Sequence, residues 1–486
     1  MMNAEMGNKE LPLGWQWVQI GEILQPSPER IDPKANGIAY IGLEHIEKST
    51  GKILGHGYSD DVKSLKSRFS EGDLLYGKLR PYLNKVWVAE FDGLCSTDIL
   101  VFQDNKFILN KYLKYRFLQE DFVKYANQNA SGVQHPRVDF KKLAKFRITI
   151  APLPEQHHIV ARIEELFSRL DAGMQALQRA KAQLQRYRQS VLEAAMTGRL
   201  TAEWREAHPE VEPAEELLEQ ITERQQETET IRNRYSEILE SEPPKSWLLV
   251  KIADVGCVQL GRQRSPKHHS GEYMRPYLRV ANVFENRIDT SDILMMNFTP
   301  EEFKRYQLHY GDILLNEGQS LELIGRPAIY RDELPGSCFQ NTLIRFSPFK
   351  GVDAEYSLCV FRSYFHNGIF QRIAKLTTTM AHLGAGRFSN LLFPLPPLLE
   401  QKEIASKISQ LESMAENTEI IIDHNLKKTD RLRQSILQHA FQGKLIPQDP
   451  SDEPASLLLE RIRGERINEA PRRGRKSKAH QARLSQ

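Results

Sequence analysis

Several short motifs in this 486-residue sequence contain residue types that catalysis uses, but each lacks a necessary part. Gly72 to Leu79 has the spacing of a phosphate-binding loop, yet Leu79 has no hydroxyl group for Mg²⁺. Pro81 would also interrupt the helix that should receive the phosphates, so a turn after a strand explains the segment better. His157-His158 and His268-His269 lack the spacing and the cysteine partners of metal sites.

Other catalytic patterns also have simpler explanations. Glu400-x-Lys402 resembles part of a nuclease motif, but its counterpart is Glu155-x-His157, and both begin a predicted helix, so helix capping explains them better. The sequence lacks the tetrapeptides of adenine methyltransferases, and Gly384-Ala-Gly386 alone is too short to indicate a cofactor loop. No nucleophile stands beside a base. The sequence therefore predicts a chain without a catalytic site, a metal site or a cofactor of its own.

Basic and hydrogen-bonding side chains on Gly-rich loops predict a different chemistry, the binding of DNA. Arg and Lys side chains hold phosphates or guanine, and Gln and Ser side chains read other base edges. Any one of these residues alone is explained by a solvated surface charge, and their matching placement in the two halves of the chain favours DNA. The candidates are Lys78, Arg80, Tyr82, Lys85, His135 and Arg137 in the first half, and Arg262, Arg264, Lys267, Gln319, Ser320, Arg326, His382 and Arg387 in the second.

The two halves match because the chain contains a duplication. Residues 186–200 and 431–445 share eight of fifteen residues, and the same offset relates Glu155-Gln156 to Glu400-Gln401. Helical segments are nearly copied, whereas the segments before them keep only framework positions. Further matches in the same order are Gly14-Trp15 with Ser246-Trp247, Tyr40–Ile46 with Tyr277–Val283, Gly72-Asp73 with Gly311-Asp312, and Ala214–Ile221 with Ala455–Ile462.

Residues 153–200 and 398–446 are predicted to be two long spacer helices. Apolar residues recur every three or four positions, and Gly198 and Gly443 follow as helix-ending residues. About 44 residues would span about 65 Å, and one narrow apolar stripe of that length needs a partner of equal length. The alternative, two separate core helices, is disfavoured because the opposite faces are strongly polar. The sequence predicts an intramolecular antiparallel coiled coil whose stripes include Tyr187 and Leu432.

The segments before the long helices, 14–152 and 246–397, are predicted to be two similar globular α/β (α+β) domains. Runs of β-branched and aromatic residues such as Val86–Ala89, Ile99–Phe102, Phe146–Ile150 and Thr342–Phe346 indicate strands, with helices at about 109–127 and 354–374. Each segment is slightly basic. The other predicted segments are an N-terminal tail (1–13), an acidic helical linker (201–245), a short C-terminal helical segment (447–470) and a basic disordered tail (471–486).

Composition excludes several classes of protein. Lys and Arg together number 66 and Asp and Glu 63, so the net charge of +3 produces no strong overall field. The four cysteines lie far apart, which disfavours a disulfide framework and favours reduced thiols in a cytoplasm. Residues 391–399 form the most apolar stretch, and they are too few and contain too many prolines to span a bilayer. We expect a cytoplasmic protein with no membrane contact.

Taken together, these features resemble the specificity (S) subunit of Type I restriction–modification systems. The resemblance covers about residues 14–470. It rests on Gly14-Trp15, on the two Gly-Asp-(Leu/Ile)-Leu motifs, on the Pro-Leu-(Pro/Leu)-Glu-Gln helix entries, and on the paired Arg-Gln-Ser-(Val/Ile)-Leu helix ends. The basic tail and the acidic stretch from Glu203 to Glu229 are not part of this pattern.

The resemblance implies both an architecture and partners. It implies two target-recognition domains related by a pseudo-twofold axis and separated by the antiparallel coiled coil, each reading one half of a bipartite site in double-stranded DNA. It implies docking of two methyltransferase subunits, which bring S-adenosylmethionine and flip an adenine, and of restriction (motor–nuclease, translocase) subunits that use ATP and Mg²⁺. Two alternatives remain: a specificity subunit of a methylation-only or other defence complex, and a non-enzymatic coiled-coil scaffold that binds protein.

Overall fold

The computed structural model describes residues 10–32, 37–221, 243–378 and 380–466, and the structural statements below refer to these residues. The chain divides into two compact units. The first unit takes the chain up to Leu177 and again from Asp423, and the second takes Gln178 to Ile422. Residues 1–9 of the predicted N-terminal tail, 222–242 of the acidic linker and the whole basic tail lie outside the described residues.

The first unit combines short strands with helices, as predicted for an α/β (α+β) domain. Its strands are β1 (Gln16–Gln19), β2 (Arg30–Ile31), β3 (Ala39–Ile41), β4 (Gly57–Tyr58), β5 (Lys66–Phe69), β6 (Leu74–Gly77), β7 (Val86–Val88), β8 (Gly93–Cys95), β9 (Ile99–Phe102) and β10 (Arg147–Ile150). Its helices are α1 (Ile20–Ile23), α2 (Asn110–Phe117), α3 (Glu120–Gln128), α4 (Phe140–Leu143) and the start of α5 (Leu153–Met196).

The second unit repeats this plan with additional strands. Its strands are β11 (Leu248–Lys251), β12 (Gly256–Leu260), β13 (Met274–Leu278), β14 (Val283–Phe284), β15 (Arg287–Ile288), β16 (Leu294–Asn297), β17 (Ile313–Asn316), β18 (Gly318–Gln319), β19 (Pro327–Ile329), β20 (Cys338–Phe339), β21 (Leu343–Pro348), β22 (Lys375–Leu376), β23 (Ala381–His382) and β24 (Leu392–Leu395). Its helices are α6 (Ala202–Ala207), α7 (Ala214–Ile221), α8 (Ile252–Val255), α9 (Pro300–Tyr306), α10 (Ala354–His366), α11 (Ile369–Ile373), α12 (Ala385–Ser389) and the start of α13 (Leu398–Phe441).

Equivalent strands occupy equivalent places in the two units. β1 pairs antiparallel with β10, and β11 pairs antiparallel with β24, so in each unit the two ends of the domain meet just before the long helix begins. β6 lies between β7 and β9, and β17 lies between β19 and β21. All four residues of β6 and all four of β17 are buried, which explains why both strands begin with three apolar or aromatic residues. The strands and helices named in the sequence prediction are confirmed.

Local signals set the ends of several elements. Before α9, the Thr299 hydroxyl accepts a hydrogen bond from Glu302 N, the Glu302 carboxylate accepts one from Thr299 N, and Pro300 fills the first helical position. The two Gly-Asp motifs form the turns that precede β6 and β17. There Asp73 accepts hydrogen bonds from the backbone amides of Ser70 and Asp104, and Asp312 accepts one from His309 N. Gly72 and Gly311 have φ of +88° and +90°, which explains the glycines.

The long helices α5 and α13 pair in both units. In the first unit the start of α5 packs with the end of α13, and Arg433 bonds to Asp171 and lies 4.8 Å from the centroid of the Phe167 ring. In the second unit the end of α5 packs with the start of α13, and Arg188 lies 2.9 Å from Glu419. The start of each helix therefore meets the end of the other, which confirms the antiparallel pairing.

One detail of the predicted apolar stripe is wrong. Tyr187 and Leu432, which occupy equivalent positions in the two helices, are 45% and 40% exposed instead of buried. The helix ends agree with the prediction, because α5 ends at Met196 and α13 at Phe441, each followed two residues later by a glycine with positive φ (Gly198 at +69° and Gly443 at +66°).

A buried tryptophan–glutamate hydrogen bond holds the start of each long helix. In the first unit Trp15 Nε1 donates to Glu155 Oε2 at 2.8 Å, and in the second Trp247 Nε1 donates to Glu400 Oε2 at 2.8 Å. Both carboxylates are almost fully buried. The helix-capping explanation of Glu155 and Glu400 therefore needs correction, since these side chains bond to a distant tryptophan.

The short helices after each long helix complete the two cores. Ala214 and Leu218 of α7 join the core that contains Trp247, and Ala455 and Leu459 of the helical residues 455–466 join the core that contains Trp15. These are the segments that the internal repeat aligned. Each one packs in the unit that also contains the end of the long helix before it, because a helix with one apolar face must bury that face against a neighbouring element.

Candidate nucleic-acid interface

In the first unit, the structure brings together the two predicted segments that follow β6 and precede α4. Arg80 N donates to Pro136 O at 2.7 Å, and Val138 N donates to Lys78 O at 3.0 Å. Residues 78–85 and 131–137, about fifty residues apart in sequence, therefore form one surface. We call this surface site 1.

The side chains of site 1 differ in how firmly they are held. Arg80 and His135 are exposed, and their nitrogen atoms Nη2 and Nδ1 lie 3.5 Å apart. Arg80 has φ of +51°, and it begins the tight turn Pro81–Leu83, which carries the half-exposed Tyr82. A non-glycine residue in this backbone region is held there by its surroundings, here by the hydrogen bond to Pro136.

Three other candidates of site 1 are also accounted for. Arg137 is exposed but donates two hydrogen bonds to Asp98, at 3.0 and 3.2 Å. Lys85 donates from Nζ to Leu43 O at 2.6 Å, so its charge stabilises the loop before β4. Lys78 is half-buried and follows β6 directly. Arg80, Tyr82 and His135 are consequently the side chains of site 1 that face solvent with the fewest protein contacts.

In the second unit, the equivalent loop after β17 forms a small sheet with a distant hairpin. β18 pairs antiparallel with β23, placing Gln319 opposite Ala381, and β23 pairs with β22. His382 Nδ1 lies 3.2 Å from Glu317 Oε2, and Arg387 donates from Nη2 to His382 O at 2.7 Å. Gln319 is half-buried, and Ser320 and Arg387 are exposed. We call this surface site 2; it has the same position relative to the central strand as site 1.

Two candidates in the second unit, Arg262 and Arg326, are partly or fully shielded from solvent by their contacts with protein groups. Arg262 is only 7% exposed, and its guanidinium donates to Glu302 Oε1 at 2.8 Å and to Asn297 O at 2.6 Å while lying over the Phe298 ring. Arg326 is half-buried and lies 4.8 Å from the centroid of the Phe284 ring, and its burial lowers the pKa of the guanidinium. Both guanidinium groups lie against protein groups, and a contact of either residue with DNA stays a prediction.

Arg264 and Lys267 remain exposed on the loop that begins at Gly261. Arg264 donates from Nε to His269 Nε2 at 3.2 Å, and Lys267 lies in the turn Pro266–His268. The loop is connected to the edge of site 2, because Asn341 N donates to Arg262 O and Glu317 N donates to Thr342 O.

Sequence reasoning missed one element of each site, the polar residues that directly precede β9 in the first unit and β21 in the second. Lys78 N donates to Asp98 O at 2.9 Å in site 1, and Glu317 N donates to Thr342 O at 2.8 Å in site 2. The repeat contained the signal, since Ser96–Asp98 and Gln340–Thr342 each precede a strand that the sequence identified. Two exposed apolar side chains were also missed, Val133 within site 1 and Leu376 on β22 of site 2.

The described residues contain few groups suited to catalysis. Among them no group of three His, Cys, Asp or Glu side chains could hold a metal ion. Burial raises the pKa of the Cys95, Cys338 and Cys359 thiols to about 12, which makes them poor nucleophiles at neutral pH. Within the same residues, no helix is long and apolar enough to cross a lipid bilayer.

A family model described as the Type I restriction modification DNA specificity domain matches the chain twice, over residues 12–181 and 244–424. The chain belongs to this family. Each match includes one α/β domain and more than half of the long helix that follows it. The family resemblance suggested by the sequence motifs is thus confirmed.

Individual relatives agree with this assignment. The chain is 34% identical over 224 residues to the Type I restriction enzyme EcoDI specificity subunit of Escherichia coli, covering 44% of this chain and half of the relative. It is 26% identical over 368 residues to the EcoKI specificity subunit of E. coli K12, covering 73% and 72%. It is 24% identical over 472 residues to the EcoBI specificity subunit of E. coli, covering 91% and 92%.

Solved structures support the fold. One chain, from a study of complex assembly and conformational transition of the type I R-M system, has a TM-score of 0.65 and 19% identity, with 90% of this chain and 100% of that chain covered. The HsdS subunit of Thermoanaerobacter tengcongensis has a TM-score of 0.57 and 19% identity, with 90% and 99% covered. These likenesses confirm the predicted fold class of two similar globular domains with paired long helices.

Proposed function

We propose that this specificity subunit recognises double-stranded DNA at a bipartite site, with site 1 reading one half and site 2 the other. One observation carries the proposal. In each unit, candidate residues from two distant parts of the sequence are hydrogen-bonded side by side at equivalent places. The two units place different side chains at equivalent backbone positions. This arrangement is suited to reading two different DNA sequences.

The two sites offer unlike chemistry to DNA. Site 1 presents the guanidinium of Arg80 and the imidazole of His135, and arginine is the side chain that most commonly recognises guanine in the major groove. Site 2 presents Gln319 and Ser320, and glutamine pairs best with adenine. We therefore propose an asymmetric target whose halves differ in base composition. Lys78, Lys85, Arg137, Arg264, Lys267, His382 and Arg387 are proposed to position the phosphate backbone or neighbouring bases.

We also propose that the chain works by positioning partner subunits. The relatives are specificity subunits of Type I restriction enzymes, and one structural neighbour comes from a study of the assembly of a type I R-M complex. By analogy, two methyltransferase subunits would supply S-adenosylmethionine, and restriction (translocase) subunits would supply ATP-driven motor and nuclease activity with Mg²⁺. This chain would itself carry no cofactor and would act as a non-catalytic DNA-recognition subunit.

The paired long helices are proposed to set the gap between the half-sites, at about one helical turn of DNA. α5 and α13 each run without interruption for 44 residues, which suits a rigid spacer. Inserting one matched heptad into both helices should change the preferred gap while leaving both half-site sequences intact. Selection of bound duplexes with variable gaps measures this, and an unchanged gap would contradict the spacer role.

The test of the recognition proposal is a pair of alanine variants. Arg80→Ala should relax the sequence preference in one half-site and Arg387→Ala in the other, each costing about 1–3 kcal/mol of binding free energy per lost base contact. The measurement is selection of bound sequences from a random duplex pool by the full chain assembled with its methyltransferase partner. Equal weakening on all sequences would make the residue a phosphate contact, and relaxation of both halves by one variant would contradict the assignment of one site to each half.

A further inference from the structure

The second long helix carries an exposed basic face that neither recognition site includes. His424, Lys427, Lys428 and Arg431 are all exposed, and with Leu432 and Ser435 they line a shallow groove. Their spacing of three, four and seven places them on one side of α13. Within the described part of the chain, Lys427, Lys428 and Arg431 form no ion pair, whereas Arg433 on the opposite side is paired with Asp171.

A similar face exists on the first long helix. At the repeat offset, Arg179 and Arg186 correspond to His424 and Arg431, and both are exposed. In each helix an exposed apolar residue follows the second of these positions, Tyr187 after Arg186 and Leu432 after Arg431. Both helices thus carry an exposed arginine at the second of these positions, and the first position is Arg179 in one helix and His424 in the other. If the only role of this face were to contact water, any polar residues could occupy these positions.

The basic face of α13 is connected to site 1 within the first unit. Gln434, one turn after Arg431, accepts a hydrogen bond from Glu120 N and donates one to Leu118 O, at the start of α3. α3 in turn packs against the turn Pro81–Leu83, which carries Tyr82. The free cations therefore begin one helical turn from an element that supports site 1.

We infer that this basic face, with its counterpart at Arg179 and Arg186, binds the phosphate backbone of duplex DNA outside the bases that sites 1 and 2 read. The inference rests on the proposed function, because it assumes that the chain binds DNA. Lys427 and Lys428 favour DNA over a protein partner for the face of α13, since lysine is depleted in protein–protein interfaces whereas lysine and arginine make the phosphate contacts of DNA-binding proteins. Such contacts add affinity without adding sequence preference.

The test compares two charge-matched double variants of the full chain. Lys427→Glu/Arg431→Glu removes two cations from the face, and Lys106→Glu/Lys444→Glu removes two exposed cations elsewhere in the first unit. We expect the first variant to reduce the slope of log K against log salt by about 2, and to weaken binding on the order of ten-fold at physiological salt, equally for target and scrambled duplexes. The second variant should leave both quantities close to those of the unchanged chain.

The remaining outcomes separate this inference from the proposed function. Arg179→Glu/Arg186→Glu should give the same loss of salt slope, and circular dichroism should show that every variant is folded. If the unchanged chain binds duplex DNA but Lys427→Glu/Arg431→Glu keeps its slope and affinity, the inference is wrong while the proposed function stands. The inference is also wrong if that variant keeps its DNA affinity and loses the methyltransferase subunit. If the unchanged chain binds no duplex even at low salt, the proposed function is wrong and the inference falls with it.

Discussion

The same buried carboxylate meets different partners in the two units. In the second unit Glu400 Oε1 accepts a hydrogen bond from Thr201 at 2.7 Å and also pairs with the Arg205 guanidinium, which donates to Gly198 O at 2.8 Å. In the first unit the bond to Glu155 Oε1 comes from the neutral Gln448, at 3.4 Å, and Gln448 donates to Gly443 O at 2.6 Å.

The two halves of the duplication share the hydrogen-bonding geometry around this glutamate but differ in its charge pairing. Both units connect the glycine that ends one long helix to the glutamate that begins the other, and both add the tryptophan. The geometry is conserved between the units, but the charge is balanced in only one of them. Burial raises the pKa of Glu155, with the bonds from Trp15 and Gln448 acting against that rise. The first unit therefore holds its carboxylate with hydrogen bonds alone.

The largest loss of stability is expected when the ion pair between Glu400 and Arg205 is removed. Glu400→Gln leaves the guanidinium of Arg205 without its carboxylate, and removing one member of a buried pair costs about 3 kcal/mol of unfolding free energy. Glu155→Gln removes no partner of a cation and should cost less than about 1 kcal/mol. Hydrogen exchange of the peptides that begin α13 and α5 measures the two losses separately.

A second substitution provides the control for that prediction. Adding Arg205→Gln to Glu400→Gln makes the second unit resemble the first, so part of the lost stability should return. A double variant that is less stable than Glu400→Gln alone would contradict the explanation by charge pairing. Equal losses for Glu400→Gln and Glu155→Gln would contradict the difference between the units.

A smaller loss of stability is expected when the tryptophan–glutamate hydrogen bond, which both units share, is removed. Trp15→Phe and Trp247→Phe each remove the donor to a buried carboxylate, and each should cost about 2 kcal/mol. The two losses should be similar, since both hydrogen bonds are 2.8 Å long. Chemical denaturation followed by exchange in each unit measures them, and a large loss in one unit only would show that the tryptophans have different roles.

The smallest effect concerns pH. Because the pKa of Glu155 is raised above its ordinary value of 4.5 in the folded chain, the folded state binds that proton more tightly than the unfolded state. The stability contributed by this proton is present below pH 4.5 and is lost as the pH rises through the folded-state pKa. The difference in unfolding free energy between the unchanged chain and Glu155→Gln should therefore fall across this range. A difference that stays constant or rises would contradict the raised pKa.

The elements of the fold were readable from the sequence because their signals are local. Prolines and glycines mark both ends of α5 and α13, and the internal repeat assigns the same plan to both halves. The bond between Trp15 and Glu155 was not readable, although the repeat had identified each residue. The two lie 140 residues apart, and only the pairing of β1 with β10 brings them together.

The candidate sites were readable only in part. Loop position and residue type selected Arg80, His135, Gln319 and Arg387 as candidates, and their contact with DNA stays a prediction. The same criteria also selected Arg262, because residue type does not show whether a cation faces solvent or a carboxylate such as that of Glu302. Tyr187 was assigned to the apolar stripe for the corresponding reason, since periodicity does not show where a helix pair leaves a position exposed.

The central claim is that two unlike recognition sites on one chain read two separated stretches of DNA. The most direct measurement is a genome-wide map of N6-methylated adenines in cells that express the chain with its methyltransferase partner. We expect one asymmetric motif made of two specified blocks with an unspecified gap between them, and we expect Arg80→Ala to lose the preference in a single block. A continuous motif, or methylation that does not change when either site is altered, would contradict the account.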